Sequence, residues 1–198
     1  MPATILGING TTAATAANGF PVTIYRSDGS NPDTPFLGEY YLAANIPRFT
    51  AALAANAAIF AIRNGATRKM KMLLAEITCS FDGTAAATTA QYSVRRFTTA
   101  TPTAGTAGTI VLEDTAGSAS TVADSRYATA AAGLTTTGVV VSAPIYVAAV
   151  PRSVTGGVFN FEMSRDVVLN VNEGILVQYD VAGVIGDAVS ITTYWGEY

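Results

Sequence analysis

The sequence predicts an all-β protein, a jelly-roll-like antiparallel β-sandwich of about eight strands with an extended N-terminal arm. Three observations point there. Apolar residues repeat with a period of two in short runs from residue 57 onward, turn-forming residues separate those runs, and no stretch carries a long amphipathic helical pattern. At 198 residues the chain fits one domain, or one domain plus an arm, and is long enough to bury a sizeable core.

The arm, residues 1–56, lacks a sustained period. ATILGI and PVTIY each read as a short strand, and NG, SDGSNPD and TPF beside them are breakers. Phe20, Tyr25, Phe36, Tyr40, Tyr41 and Phe49 are crowded into this part. Two readings stand for them: anchors that bury in a neighbouring molecule, or cover for one open face of the chain's own sandwich.

The sandwich, residues 57–198, opens with AAIFAIRN, a strand over Ile59 to Arg63 that stops at the Asn64-Gly65 turn signal. AALAANAA before it has the composition of a helix. In KMKMLLAEITCSFDG, Met70, Met72 and Leu74 point one way, while Ile77, Cys79 and Phe81 alternate on the other parity; that slip is the mark of a β-bulge. TTAQYSVRRF sets Tyr92 and Val94 against Gln91, Ser93 and Arg95. Residues 99–137 break the rhythm around one short strand in IVLED, and are expected as a long surface loop. Strands resume in GVVVSAPIYVAAVP and in GGVFNFEM, whose Phe159, Phe161 and Met163 are expected inward and Glu162 outward. RDVVLNVNEGILVQYD reads as a hairpin about Asn172-Glu173-Gly174, with Gly174 in the left-handed conformation. AVSITTYWGEY turns Val189, Ile191, Thr193 and Trp195 to one side.

Charged residues make up 13% of the chain, about half the usual quarter, so Thr, Ser, Gly and Ala must cover the outside. Such a surface is cheap to desolvate and suits lasting contact with other chains. The net charge of −3 argues against a general nucleic-acid binder. A lone Cys79 makes no internal disulfide, and nothing in cysteine usage marks an oxidising compartment. The first twenty residues lack the basic and apolar regions of a signal peptide, and AALAANAAIFAI is too short to cross a bilayer; no membrane partner is expected.

With no histidine, neither a Ser-His-Asp nor a Cys-His nucleophile can be built, and one cysteine makes no zinc site. No GK[ST] follows the glycines Gly105 and Gly108 of TAGTAGT, which read as loop flexibility and not as a phosphate loop. A glycosidase needs only two carboxylates. Glu76, Asp82, Glu162, Asp166 and Glu173 are the candidates, and their patterns read as solvated-face or turn positions. Asp28, Ser30, Asn31 and Asp33 in RSDGSNPD offer oxygen ligands for calcium, but Pro32 interrupts the loop pattern and a plain turn explains them. The expectation is a non-enzyme without metal or cofactor.

The charge layout is more informative. No acidic residue lies between Glu39 and Glu76, yet Arg48, Arg63, Arg68, Lys69 and Lys71 do. They predict a basic edge, which serves either to protect an edge strand or to dock an acidic partner surface. Tyr194, Trp195 and Tyr198 allow a sugar-stacking platform, although Trp195 shares the inward parity of Val189 and Ile191 and reads as core.

Residues 59–97, IFAIRNGATRKMKMLLAEITCSFDGTAAATTAQYSVRRF, resemble small virion proteins of tailed bacteriophages, as does the end, RDVVLNVNEGILVQYDVAG…VSITTYWGEY. The shared pattern is an apolar strand ending in RN, a basic strand, an SFDGTAAAT turn, a strand ending in RF, an NEG turn and an aromatic last strand. The resemblance implies a jelly-roll head decoration or cement protein. Such a protein sits on the capsid exterior, bridges subunits of the major capsid protein, forms a homo-oligomer (commonly a trimer) and is made in the host cytoplasm. It has interfaces and no active site. Arg63, Arg68, Lys69 and Lys71, with Phe20 and Tyr25 of the arm, are the expected contact residues. The alternatives are a jelly-roll capsid shell protein, a carbohydrate- or receptor-binding module of a tail or fibre, and a minor hydrolase.

Overall fold

A computed structural model describes residues 37–81, 89–113, 118–152, 157–162 and 167–198, the stretch 157–162 by its backbone alone. The expected calcium and arm positions at residues 1–36, including Phe20 and Tyr25, lie outside the described residues, as do Asp82, Met163 and Asp166 and the side chains of Phe159, Phe161 and Glu162. Leu37–Glu197 forms one compact unit.

The described residues are all strand and connection. In chain order the strands are β1 (Gly38–Ile46), β2 (Ala58–Arg63), β3 (Met70–Phe81), β4 (Thr89–Thr98), β5 (Thr106–Ala107), β6 (Val111–Leu112), β7 (Asp124–Tyr127), β8 (Val140–Pro151), β9 (Gly157–Glu162), β10 (Val167–Leu169), β11 (Gly174–Tyr179) and β12 (Ala188–Glu197). One sheet runs β10-β3-β12-β1-β6, with β9 sharing the β10 side of β3; the other runs β5-β7-β2-β11-β4-β8. Every pairing is antiparallel.

The pairing is nested. β1 pairs β12, β2 pairs β11, β3 pairs β9 and β10, and β4 pairs β8, alternately in the first and second sheet. A long doubled ribbon wound in this way, with β12 also on β3 and β11 also on β4, is a jelly roll. Between the sheets lie Trp195, Tyr40, Tyr92, Tyr179, Phe49 and Phe60, all fully buried. Side chains of this size each contribute roughly 1.5–3 kcal/mol on burial, so the aromatic core outweighs any single surface contact.

Several expectations hold at residue level. Tyr92 and Val94 face the core, as do Val189, Ile191, Thr193 and Trp195. The bulge in β3 is present: Tyr194 pairs Leu74 while Trp195 pairs Met72, so Leu73 is the extra residue. It stands 40% exposed, and Leu74 falls on the outer parity instead of joining Met70 and Met72 inside.

Others are corrected. The sandwich begins at β1 and not after residue 56. Tyr40, Leu42, Ala44 and Ile46 alternate strictly with more exposed neighbours, and Phe49 and Leu53 follow them into the core. Two adjacent tyrosines and two small alanines hide that period in the sequence. AALAANAA forms no helix; a turn at Ala55-Asn56 leads into β2. β10 and β11 are not a hairpin, because they lie in different sheets and the NEG segment carries the chain between them. The left-handed residue there is Asn172, with φ 62°. Gly174 is a strand residue, and a Cβ on it would sit 2.3 Å from the Phe97 ring and 2.6 Å from the Ile62 carbonyl oxygen.

Residues 99–137 are the largest departure. Instead of a loose loop, the described part wraps the sandwich. β6 extends the first sheet beyond β1, and β7 with β5 extends the second beyond β2. Leu134 then folds over the outer face of the second sheet onto Ala58, Ala61, Phe97 and Leu176, its N–H bonded to the Ala58 carbonyl at 2.8 Å. Gly105, at φ 69°, lies where a Cβ would meet the Tyr127 carbonyl oxygen, so it serves close packing and not flexibility.

Candidate functional site

The basic edge does not survive as one surface. Arg63, at the end of β2, donates from Nε to the Asn172 carbonyl at 3.3 Å and from a terminal nitrogen to Thr101 Oγ1 at 3.3 Å. Arg68 lies 3.6 Å from the Glu197 carboxylate and donates to the Ala119 carbonyl at 3.4 Å. Lys71 is only 8% exposed. Lys69 alone of the four is exposed. The stretch without acidic residues holds in sequence, but β12 brings Glu197 back beside it, and Arg68 serves as its structural counter-charge.

Glu197 is fully buried. Its carboxylate accepts from Ser120 Oγ at 2.6 Å, from the Thr121 N–H and Oγ1 at 2.9 Å each, and from Trp195 Nε1 at 3.3 Å. Tyr40 Oη donates to the Ser118 carbonyl beside it, and burial, then the Glu197 charge, pushes the Tyr40 hydroxyl up from its ordinary value. This centre fastens the wrapping segment to β1 and β12. A buried carboxylate is costly unless its oxygens are satisfied, and here neutral donors and one arginine satisfy them.

A second centre lies just beyond β8. Arg152 and Asp187, each 2% exposed at the side chain, meet at 2.7 Å, and Arg152 Nε lies 3.2 Å from both carboxylate oxygens. The Val184 N–H donates to Asp187 at 3.2 Å and Tyr179 Oη at 3.4 Å, and Tyr92 Oη donates to Tyr179 Oη at 2.9 Å. Arg152 also lies 5.6 Å from the centre of the Phe81 ring. Burial, the largest single influence, would lower the guanidinium; the Asp187 hydrogen bond and charge, with Tyr179 and Tyr92, together outweigh it and hold it raised. Burial pushes Tyr92 and Tyr179 well up, and Cys79 up to about 11. A thiol so held is neutral and buried, the reverse of an activated nucleophile. Glu197 does carry a sequence signal, since it continues the inward parity of Ile191, Thr193 and Trp195, and Asp187 has the same parity just before β12. A carboxylate on a core-facing position is the mark that sequence reasoning passed over.

The carboxylates Glu76 and Glu173 do not converge. Glu173 accepts from Arg96 at 3.1 Å and from the Asn170 N–H at 2.9 Å, a turn role, while Glu76 sits on the outer face of β3. No group of three or more His, Cys, Asp or Glu side chains among the described residues is placed to hold a metal ion. Trp195 is fully buried, which removes it from any sugar platform. Tyr194 instead stacks on Tyr41 across the outer face of the first sheet, ring centres 5.6 Å apart, in a row that runs from Val111 to Leu74.

The surface that stands out is β8. It ends the second sheet, with no strand beyond it among the described residues. Val140, Val141 and Val147 are 60%, 36% and 48% exposed, and no charged residue occurs between Arg126 and Arg152. Proteins blunt exposed edges with charge, and this one carries none. No protein-family model matches the chain, and neither a curated protein nor a solved structure does.

Proposed function

We propose that the chain is a structural virion protein, a capsid decoration or cement protein that binds the assembled head of a tailed phage from outside and stabilises it. The observation that carries this reading is the uncharged, apolar β8 edge on a sandwich whose polar groups are consumed internally by Glu197 and Asp187. Such a molecule has adhesive surface to offer and its buried acids are occupied in holding it together. The resemblance of residues 59–97 and of the C-terminal strands to phage virion proteins supplies the partner, the major capsid protein.

The mechanism is multivalent clamping. Several modest patches on a small closed oligomer engage neighbouring capsid subunits together, and each contact raises the effective concentration of the next. Lys69 is the basic contact residue to retain; Lys71 is set aside on account of its burial, and Arg68 because it is engaged with Glu197. The chain is made in the host cytoplasm and takes neither nucleic acid nor membrane as partner.

The test is incubation of the purified chain with bare heads of the encoding phage, followed by sedimentation and heat challenge. Co-sedimentation at saturable stoichiometry with a raised disruption temperature supports the proposal. Closed particles formed by the chain alone would make it a shell protein. Failure to bind heads, with binding on a glycan array lost on Tyr194→Ala, would make it a tail or fibre module.

A further inference from the structure

We infer that β8 is a self-association edge: two copies of the chain pair antiparallel through Ile145–Val150 about a twofold axis, making one continuous sheet across both molecules. The inference stands on the strand itself and not on the virion reading.

β8 is unevenly built. Its first part meets β4 irregularly, with register shifts between Val94 and Arg95 and between Arg95 and Phe97, and Pro144 lies in that part. From Tyr146 to Pro151 the register against β4 is unbroken. Bulges and prolines blunt an edge, because they twist it away or remove a donor. The prolines Pro144 and Pro151 therefore bracket IYVAAV, which past the bulge at Ile145 is regular from Tyr146 onward, keeps every backbone donor and carries no charge. A window of this length, with high β propensity and neither proline nor charge, is what pairs with another strand when left bare.

Charge selects the occupant. An antiparallel twofold contact sets each residue against itself or a near neighbour, so any charge by the axis would oppose its own copy. The chain has no charged residue from 127 to 151, wider than the window on both sides. A partner of different sequence would impose no such restriction. The axis of an antiparallel pair stands perpendicular to the sheet and keeps inner facing inner. That restricts the centre of a six-residue window to Val147 or Ala148. Val147, 48% exposed, then meets its own copy or the copy of Ala149 on the outer face. The contact closes on itself, so it stops at two and does not propagate.

The test is light scattering after size exclusion on the full chain. The expected mass is twice 20.4 kDa, falling to that of a single chain on Val147→Lys, which sets two ammonium groups on one face beside the axis in either register. Leu73→Lys, at a comparably exposed site on β3 in the other sheet, should remain a dimer. Circular dichroism reports whether each variant keeps its sheet. Val147→Cys supplies a readout that needs no disruption. Cys79 is buried, so a short bis-maleimide should join two chains through residue 147 and yield a covalent dimer. A wild-type monomer or trimer, a dimer untouched by Val147→Lys, or no cross-linking at residue 147 would each overturn the inference. A monomer that still binds phage heads would overturn it while leaving the proposed function standing.

Discussion

On the side of the sandwich where β1 and β2 lie, the wrapping segment adds β6 to one sheet and β7 with β5 to the other, and Glu197 fastens that cover through Ser120, Thr121 and Arg68. On the side of β8 nothing comparable is built among the described residues. A buried acid serves there too, but Asp187 ties down the end of the strand through Arg152 and leaves its edge open. Among the described residues, the chain covers one pair of edges with β5, β6 and β7 and places no strand beyond the twelve residues of β8. Edge pairing is a hazard for a protein meant to stay alone and an asset for one meant to assemble. The contrast separates a side that is finished within the molecule from a side whose edge is open to the proposed pairing.

The sharpest way to break this contrast is at the Arg152–Asp187 pair. Asp187→Ala leaves a guanidinium 2% exposed without its carboxylate, and the expected loss is about 3–5 kcal/mol of unfolding free energy in urea melts. Replacing both partners, Arg152→Met with Asp187→Leu, should recover most of it, since two apolar groups of matched size remove the buried charge altogether. A single variant as stable as wild type would mean that the end of β8 is not held by this pair.

Glu197→Gln tests the opposite side and should cost less, about 1–3 kcal/mol, because Arg68 is 23% exposed at its side chain and can turn to water while Gln keeps some of the acceptors. The location of the effect matters more than its size. Hydrogen exchange should quicken at Thr121 and Val122 while β8 is unchanged. Quickening spread evenly over the molecule would mean that the wrap and the sandwich are one cooperative unit, and the contrast between the two sides would lose its energetic basis.

Both sides share the interior, and alkaline pH probes it. Burial raises the folded-state values of Cys79, Tyr92 and Tyr179, so the unfolded chain gives up these protons first. The unfolded state then binds fewer protons than the native one, and stability falls as pH rises. For Cys79 the contribution is complete below pH 9 and lost by about pH 11; the tyrosines extend the decline upward from pH 10. Cys79→Ala should remove the lower part of that decline, at the expense of a small cavity. A melting temperature flat from pH 8 to 11 would contradict the buried, neutral state of these groups.

How much of this was legible in the sequence follows from the kind of signal. Period-two alternation is local, and it located β2, β4, β8 and β12 and the slip in β3. It failed at β1, where Tyr40-Tyr41 and the alanines blur the contrast between faces. It misjudged residues 165–180, because the spacing of β10 and β11 fits a hairpin equally well, and only the nested pairing sends them to different sheets. The wrap was illegible for a related reason. Thr, Ala and Gly carry little hydrophobic contrast, so Leu134 and Ala128 look like loop residues until β2 is placed beneath them. The basic edge failed on a long-range term: the counter-charge for Arg68 comes from Glu197, more than a hundred residues away in the chain. Local pattern reports which face a residue takes. It does not report what a distant strand brings back.

The smallest effect is expected at Thr193. It holds the core-facing parity of β12 between Ile191 and Trp195, 1% exposed, and its Oγ1 is the one buried side-chain polar atom without a hydrogen-bond partner among the described residues. An unsatisfied buried hydroxyl costs about 1–3 kcal/mol of desolvation with nothing in return. Thr193→Val keeps the branched shape, removes that cost, and should stabilise the fold by up to about 1 kcal/mol, seen as a higher urea midpoint with an unchanged slope. β12 is the strand between β1 and β3, so it belongs to the finished interior and not to either edge. A gain in stability with no change in the mass of the oligomer would show that the interior and the β8 edge are energetically separate. A shift in both would tie the core of the first sheet to self-association through the second.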